Sequence, residues 1–486
     1  MHSRSRWRNS LVDKDKRWLA LYLLCLGELM IVLDTTVVNV ALPSIREDLR
    51  FTESSLVWVV NAYMLTYGGF LLLGGRLGDL YGNRRLFLGG ITLFTLASVA
   101  CGVAGSQAVL ITARFIQGLG GAVVSAVALS LIMNLFTEAG ERAKAMGFYG
   151  FVCAGGGSLG VLLGGALTDA ISWHWVFLVN VPIGAAVYAL CLAVLPADRV
   201  AARTERLDVG GALTVTASLM LAIYAIVNGN EAGWRSTQTL GLLAAAAALL
   251  ATFLAIEARV QSPLMPFRLV RLRSVAVSNV VGALWAAAMF AWFFISALYM
   301  QLVLGYTPLQ VGLAFLPSNL IMAAFSLGLS AKMVMRFGIR APIAVGLGLA
   351  ALGLALFAIS PVGGSFVVHV LPGMLLLGLG CGMALNPVLL AAMSDVEPSE
   401  SGLASGIVNT AFMMGGALGL AVLASLSAAR TESLLAAGAA SPEALTSGYQ
   451  WAFGVGAAFA AFAALLSALL PATAPRPEAT GAVART

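Results

Sequence analysis

Apolar runs of membrane-spanning length constrain this chain more than any other feature, and the first of them shows how. Leu19 to Pro43 reads LALYLLCLGELMIVLDTTVVNVALP, longer than the roughly 20 apolar residues that a bilayer-crossing helix needs. It nevertheless carries Glu28 and Asp34 in its interior. A carboxylate at membrane depth is costly unless it faces water, a partner charge or a bound ion, so each acid demands a reason. Glu28, Thr35 and Asn39 recur at helical spacing, which at about 100° per residue puts them on one stripe. Asp34 falls roughly 120° away from Glu28. The spacing predicts a helix with one polar face toward a cavity and a separate acid toward a neighbouring helix.

Similar windows follow along the chain, about fourteen in all. They begin near Trp18, Ser55, Arg85, Gln107, Ala143, His174, Asp208, Gln238, Arg273, Pro308, Arg340, Phe366, Gly402 and Tyr449. With 60% of the residues hydrophobic and 10% charged, a soluble domain is excluded and an all-α polytopic membrane protein is predicted. If the N-terminus is inside, 23 of the 28 basic residues fall on the inner side, and Arg114 lies within a span. That bias predicts a cell-membrane protein with both termini and the loop Gly75 to Arg85 in the cytoplasm. It also accounts for the net charge of +6 without a nucleic-acid partner. The first 17 residues are basic, but the apolar run behind them is too long for a signal peptide and is expected to be retained.

The five cysteines, Cys25, Cys101, Cys153, Cys191 and Cys381, lie in apolar stretches without zinc-ligand spacing, and are expected to be buried thiols with no metal or cofactor role. No GxxxxGK[ST] motif offers ATP drive. No Ser/His/Asp or Cys/His constellation supports enzyme chemistry. A faint repeat relates GRLGDLYGNRR (Gly75 to Arg85) to AKMVMRFGIR (Ala331 to Arg340), with Gly82 matching Gly338 and Arg84 matching Arg340. Repeated bundles around a central site are the architecture of secondary transporters.

Seven motifs carry a family resemblance, three of them at the level of the superfamily and its exporters. GRLGDLYGNRR, with Gly75, Gly78, Asp79, Gly82, Arg84 and Arg85 in place, resembles the loop signature of the major facilitator superfamily. The resemblance implies a conformational latch, with Asp79 near the start of the thirteenth span at Gly402 to Ser405. RFIQGLGGA from Arg114 resembles the fourth-span motif of proton-coupled members. Arg114, Gly118, Gly121 and Ser125 share a face. Counted from the span ends, Arg114 and Asp34 both sit roughly 10–14 Å below the outer boundary, so an ion pair is expected, serving proton coupling or structure alone. GGGSLGVLLGG in the fifth span resembles the glycine-rich antiporter motif of exporters, with Val161 where the family has proline. Gly156, Gly160, Gly164 and Gly165 permit close helix packing in either case.

LDTTVVNVALP, WHWVFLVNVPIG, YMQLVLGYTPLQVGLAFLP and SGLASGIVNT are similar to fourteen-span drug:proton antiporters. The likeness covers essentially the whole chain. It implies six-helix bundles at residues 18–196 and 273–471, a linker at 197–272 with two extra helices, and cytoplasmic segments at 1–17 and 472–486. It further implies a monomer in the lipid bilayer, exporting lipophilic or cationic small molecules, drugs and antibiotics among them, in exchange for protons. In the ninth span Trp285, Met289, Trp292, Ser296 and Tyr299 align. Such a wall suits loosely specified lipophilic ligands, or equally helix packing. Asn319, Asn386 and Asn409 offer polar contacts to substrate or between helices. Glu28 is either a partner for a cationic substrate or a protonated carboxyl bonded within the bundle. Proton-coupled uptake of a polar nutrient and a non-transporting receptor or scaffold are the competing functions.

Overall fold

A computed structural model describes residues 14–136, 138–195, 208–260, 263–397 and 401–470, and every element among them is helical. Helices satisfy their own backbone groups, which is what hydrocarbon requires. The first half consists of α1 (Lys14–Leu49), α2 (Trp58–Tyr81), α3 (Asn83–Gly102), α4 (Gln107–Leu135), α5 (Ala139–Ala170) and α6 (Asn180–Val194). Two further helices, α7 (Val209–Ala232) and α8 (Thr237–Glu257), lead to the second half. That half holds α9 (Arg273–Leu298), α10 (Pro308–Ala324), α11 (Arg340–Phe357), α12 (Leu371–Ala392), α13 (Ser401–Ala436) and α14 (Ser441–Leu466).

Among the described residues, thirteen helices are long and apolar enough to cross a membrane. The remaining span is broken: α10 has 17 residues, then a π-helical turn Phe325–Leu329 and a short helix Ser330–Phe337. Gly328 at the break has φ +123°, which a residue with a Cβ rarely adopts. Helix α14 starts at Ser441, ahead of the position near Tyr449 that hydropathy suggested, because Ala440 is extended and a proline stands in the first turn, where its fixed φ suits a helix start. Other starts are capped by side chains, as where Asp208 accepts from Gly211 N–H (2.7 Å) before α7 and Ser236 from Thr239 N–H (3.1 Å) before α8.

The faint sequence repeat has a counterpart in space. Gly82 (φ +100°) ends α2 and Gly338 (φ +76°) ends the broken tenth segment. Two residues on, Arg84 Nη2 donates to the carbonyl of Leu192 near the end of α6 (2.6 Å). Arg340 donates through Nε and Nη2 to the carbonyl of Leu470 beyond α14 (3.0 and 2.6 Å). In each half an arginine at the head of one helix satisfies a terminal carbonyl of the last, where a cation is also favoured by the helix dipole.

The end carrying these glycine–arginine turns is the basic end. At the opposite end the halves are closed on one another. Gln301 Nε2 donates to Val40 carbonyl (2.9 Å) and Asn61 Nδ2 to Ala417 carbonyl (3.0 Å). One apolar core runs across this seam, joining Val37, Val40, Leu56 and Val60 of the first half to Trp285, Trp292, Phe315 and Leu420 of the second. Toward the basic end the first half has a core of its own, with Leu21, Leu24, Phe87, Phe94 and Phe136. The added helix α7 lies along the seam. It approaches α2 where Gly69 meets Thr216, and α13 where Asn230 Nδ2 reaches Ser425 carbonyl (2.9 Å). Helix α8 leans on α7 through Ser218 Oγ and Ala246 carbonyl (2.7 Å), and only 17% of its apolar window is buried, which leaves a face for lipid.

Candidate functional site

Asp34 and Arg114 meet inside the first half. They are 0% and 1% exposed, and Arg114 Nη1 donates to Asp34 Oδ2. Gln117, one turn beyond Arg114 on α4, donates through Nε2 to Asp34 Oδ1 (2.7 Å) and to Ser98 Oγ of α3 (2.7 Å). Its Oε1 accepts from Arg114 Nη1 (2.7 Å) and from Cys101 Sγ (3.6 Å). Asn180, at the head of α6, donates to Asp34 Oδ1 (3.2 Å). Arg114 Nε donates to Val59 carbonyl of α2 (2.9 Å), and the guanidinium lies 4.4 Å from the Tyr63 ring centre and 5.6 Å from that of Phe177. Cations over aromatic faces are stabilised when desolvated.

The sequence dictates this convergence locally. Gly118 and Gly121 of α4 admit α2, since a Cβ at Gly118 would lie 2.4 Å from Tyr63 carbonyl and one at Gly121 3.0 Å from the Tyr63 hydroxyl. That approach brings Val59 carbonyl and the Tyr63 ring onto Arg114. Breaking such a buried pair by removing one partner costs about 3–5 kcal/mol, because the other charge is left uncompensated. The same arrangement can therefore act as a switch, for neutralising Asp34 releases Arg114 from its strongest contact.

Glu28 lies six positions earlier on α1, roughly 9 Å further toward the basic end. It is 4% exposed, beside the hydroxyls of Ser125 on α4 and Tyr149 on α5. Glu28 Oε2 and Ser125 Oγ make no hydrogen bond. The other members of its stripe turn inward on their own helix. Thr35 Oγ1 donates to Val32 carbonyl (2.7 Å) and Asn39 Nδ2 to Thr35 carbonyl (3.2 Å), with Asn39 buried. In this conformation the expected polar stripe is thus no open wall. Glu28 keeps a buried oxygen without a hydrogen bond there.

The antiporter-motif glycines divide between two neighbours. Gly156, Gly160 and Gly164 seat α1, where added Cβ atoms would meet Val32, Thr36 and Val37 carbonyl at 2.9, 2.0 and 2.6 Å. Gly165 instead meets Pro308 carbonyl of α10 at 2.5 Å. With Val161 in place of proline, α5 runs unbroken from Ala139 to Ala170. In the loop signature, Gly75 and Gly78 face Ala126 and Val127 of α4, and Gly82 forms the turn. Arg85 is exposed at the head of α3. The side chains of Asp79, Ser401, Leu403 and Ser405 lie outside the described residues, and the expected latch contact with them.

The ninth-span stripe is packed rather than open. Trp285, Trp292, Ser296 and Tyr299 are at most 1% exposed, and Met289 is partly buried against the same core. Ser296 Oγ donates to Trp292 carbonyl (2.6 Å) and Tyr299 Oη to Pro361 carbonyl (2.7 Å), while Trp292 sits edge-on to Phe315. Among the asparagines, Asn319 is buried, whereas Asn386 and Asn409 are exposed in the basic-end portions of α12 and α13. Residues that the sequence reading missed are Gln117, Asn180 and Ser98. Asn180 stood inside a quoted motif, but neutral amides carry no cost signal comparable to a charge. Cys25, Cys101, Cys191 and Cys381 are buried free thiols, and no cluster of metal-ligating residues occurs among the described residues.

The family model of the Major Facilitator Superfamily matches residues 24–420. The puromycin resistance protein of Streptomyces alboniger is 39% identical, the alignment covering 94% of this chain and 90% of that protein. The cephamycin export protein of Amycolatopsis lactamdurans is also 39% identical, covering 94% and 93%. Among solved structures, the nucleoside transporter NupG superposes with a TM-score of 0.67 at 13% identity, covering 93% of this chain and 99% of that one.

Proposed function

The chain belongs to the major facilitator superfamily, and on that premise we propose that it is a proton-driven exporter of lipophilic, antibiotic-like small molecules. It works by alternating access as a monomer in the cell membrane, with both termini and the basic end in the cytoplasm. The observation that carries the reading is the sealed Asp34–Arg114 pair, in a chain whose relatives confer puromycin resistance or export cephamycin. Asp34 is the proton-coupling acid and Arg114 its counter-charge. Protonation removes the attraction, frees Arg114 and biases the halves toward a different opening. The drug occupies the space between the halves. Exposed amides at Asn386 and Asn409 support a water-filled vestibule at the basic end, since hydrocarbon disfavours unpaired polar groups. Glu28 is the partner for a cationic drug group, for its Oε2 is buried beside the vestibule without a hydrogen bond. Trp285, Met289, Trp292, Ser296 and Tyr299 line the drug's path once the opposite end opens, and Asp79 with its glycines and arginines latches the basic end shut.

The test is a toxicity panel on cells with and without the protein, followed by proteoliposomes loaded with a protected compound under an imposed pH gradient. Wild type concentrates the compound against its gradient. Asp34→Asn abolishes uphill transport and retains binding, whereas Glu28→Gln weakens cationic compounds more than neutral ones and keeps coupling. Uphill transport by Asp34→Asn, together with its loss in Glu28→Gln, would reverse these roles. Accumulation rather than extrusion in intact cells would overturn export.

A further inference from the structure

The closed opposite end holds a carboxyl that the Asp34 network does not use. The turn between α1 and α2 is braced. Phe51 N–H donates to Arg46 carbonyl (3.0 Å), and Thr52 and Ser55 each donate a backbone N–H to the other's hydroxyl (3.0 Å). Gln107 of α4 holds the carbonyls of Leu49 and Arg50 at 3.1 and 2.9 Å, and the Phe51 side chain is buried beneath. So supported, the turn presents Glu53 to the second half, against the Tyr449 hydroxyl of α14. Glu53 Oε1 is buried without a hydrogen bond, and so is Tyr449 Oη, on a residue 1% exposed.

Two charged groups also face Glu53, Arg46 of α1 and Glu432 of α13. Nearby Asp48 is engaged by Trp173 Nε1 (2.9 Å). An ionised Glu53 therefore leaves a buried, unpaired oxygen at the seam, with one charge favouring it and one opposing it. A protonated Glu53 is neutral and escapes that desolvation cost, although the Tyr449 O–H can donate to the ionised form as well. When the halves part at this end, the carboxyl returns to water and loses the preference. We propose that Glu53 is a second proton-binding site, separate from Asp34, whose occupation by an external proton favours closure of the opposite end.

Burial in the seam pushes the Glu53 carboxyl above the usual carboxylate range. Arg46 and the Tyr449 hydroxyl pull it back and Glu432 adds to the rise. The sign follows from linkage. Stabilisation of the closed form is full below the open-state value, about 4.3 for an exposed glutamate, and is lost as pH rises through the raised closed-state value. In an exchanger driven by external protons this acts in the productive direction, since the outward-open protein closes once it is loaded. The inference takes from the proposed function only that the opposite end faces the outside medium.

The experiment measures the distance across the opposite end by double electron–electron resonance, with spin labels at Gly105→Cys and Ser433→Cys in lipid-reconstituted protein. Both sites are exposed, the four described native thiols are buried, and Cys153 is replaced by serine. Without drug, the closed population of wild type rises as pH is lowered through the raised closed-state value toward that of an ordinary glutamate. Glu53→Gln at the higher pH shows the closed population that wild type reaches at the lower. Tyr449→Phe moves the transition to higher pH, and Glu432→Gln moves it to lower pH, at an exposed position. The transition persists in Asp34→Asn, so that failure of the coupling assignment and failure of this one are separable. A closed population in Glu53→Gln no greater than in wild type at high pH overturns the proposal. So does a wild-type distance indifferent to pH, or a transition that vanishes in Asp34→Asn.

Discussion

Three donors on two helices hold the Asp34 carboxylate, and they are anchored differently. Arg114 is also fixed by Val59 carbonyl and Gln117, and Gln117 by Ser98, whereas Asn180 Oδ1 has no hydrogen bond. Asn180 is thus held mainly by what it gives to Asp34 and Ser98. Removing a hydrogen bond to a charged group costs about 1.5–3 kcal/mol. Asn180→Leu should lower the thermal stability of the purified protein by that order, and most of the loss should disappear in an Asp34→Asn background, as a double-mutant cycle would report. Equal losses in both backgrounds would mean that Asn180 acts through packing alone. At this scale the charged pair was legible because a charge in an apolar span is expensive and its depth can be counted from the span ends. The amides around it were not. Gln117 and Asn180 converge on Asp34 only through the rotation of α4 and α6 about their axes, which tertiary packing sets.

At the scale of single helices, α5 offers a sharp contrast. A Cβ at Gly164 would meet Val37 carbonyl at 2.6 Å, whereas one at Gly155 would meet nothing within 4 Å. Overpacking of a tight contact costs about 1–3 kcal/mol. Gly164→Ala should therefore destabilise the protein and slow transport, with Gly155→Ala close to wild type in melting and flux assays. The reverse order would show that α5 does not seat α1 as described. The glycine spacing announced a close-packed face, but nothing in it announced that Gly165 serves α10 instead of α1. The stripe of Trp285, Trp292 and Tyr299 was likewise readable as a face. That it lies in the core joining the halves depends on which end of the molecule is closed, and a helical period carries no such information. Gly328 gave no signal either, being one of 53 glycines until its φ is known.

For the molecule as a whole, hydropathy sufficed to lay out most of the spans, since it reports each element's own interaction with lipid or water. The closed end was not readable, because it rests on a few bonds such as Gln301 to Val40 between surfaces that must also separate. Orientation can be checked directly. Tyr81 and Val103 are exposed at opposite ends, 57% and 68%. Cysteine at position 81 should stay unlabelled by an impermeant thiol reagent added to intact cells, and cysteine at 103 should label. Labelling at 81 would invert the topology and with it the direction of export. One last consequence concerns length. Arg84 opens α3 and grips the carbonyl that nearly closes α6, so the chain between them must go up and down through the membrane and return to the same level. A residue inserted in α3 alone would drag that arginine off its carbonyl, while one inserted near Gly438, in a loop at the other end, would not. The same rule binds Arg340 and Leu470. Inherited insertions and deletions should therefore collect in the loops opposite these two clasps, and the helices that the clasps close should change length only in compensating pairs.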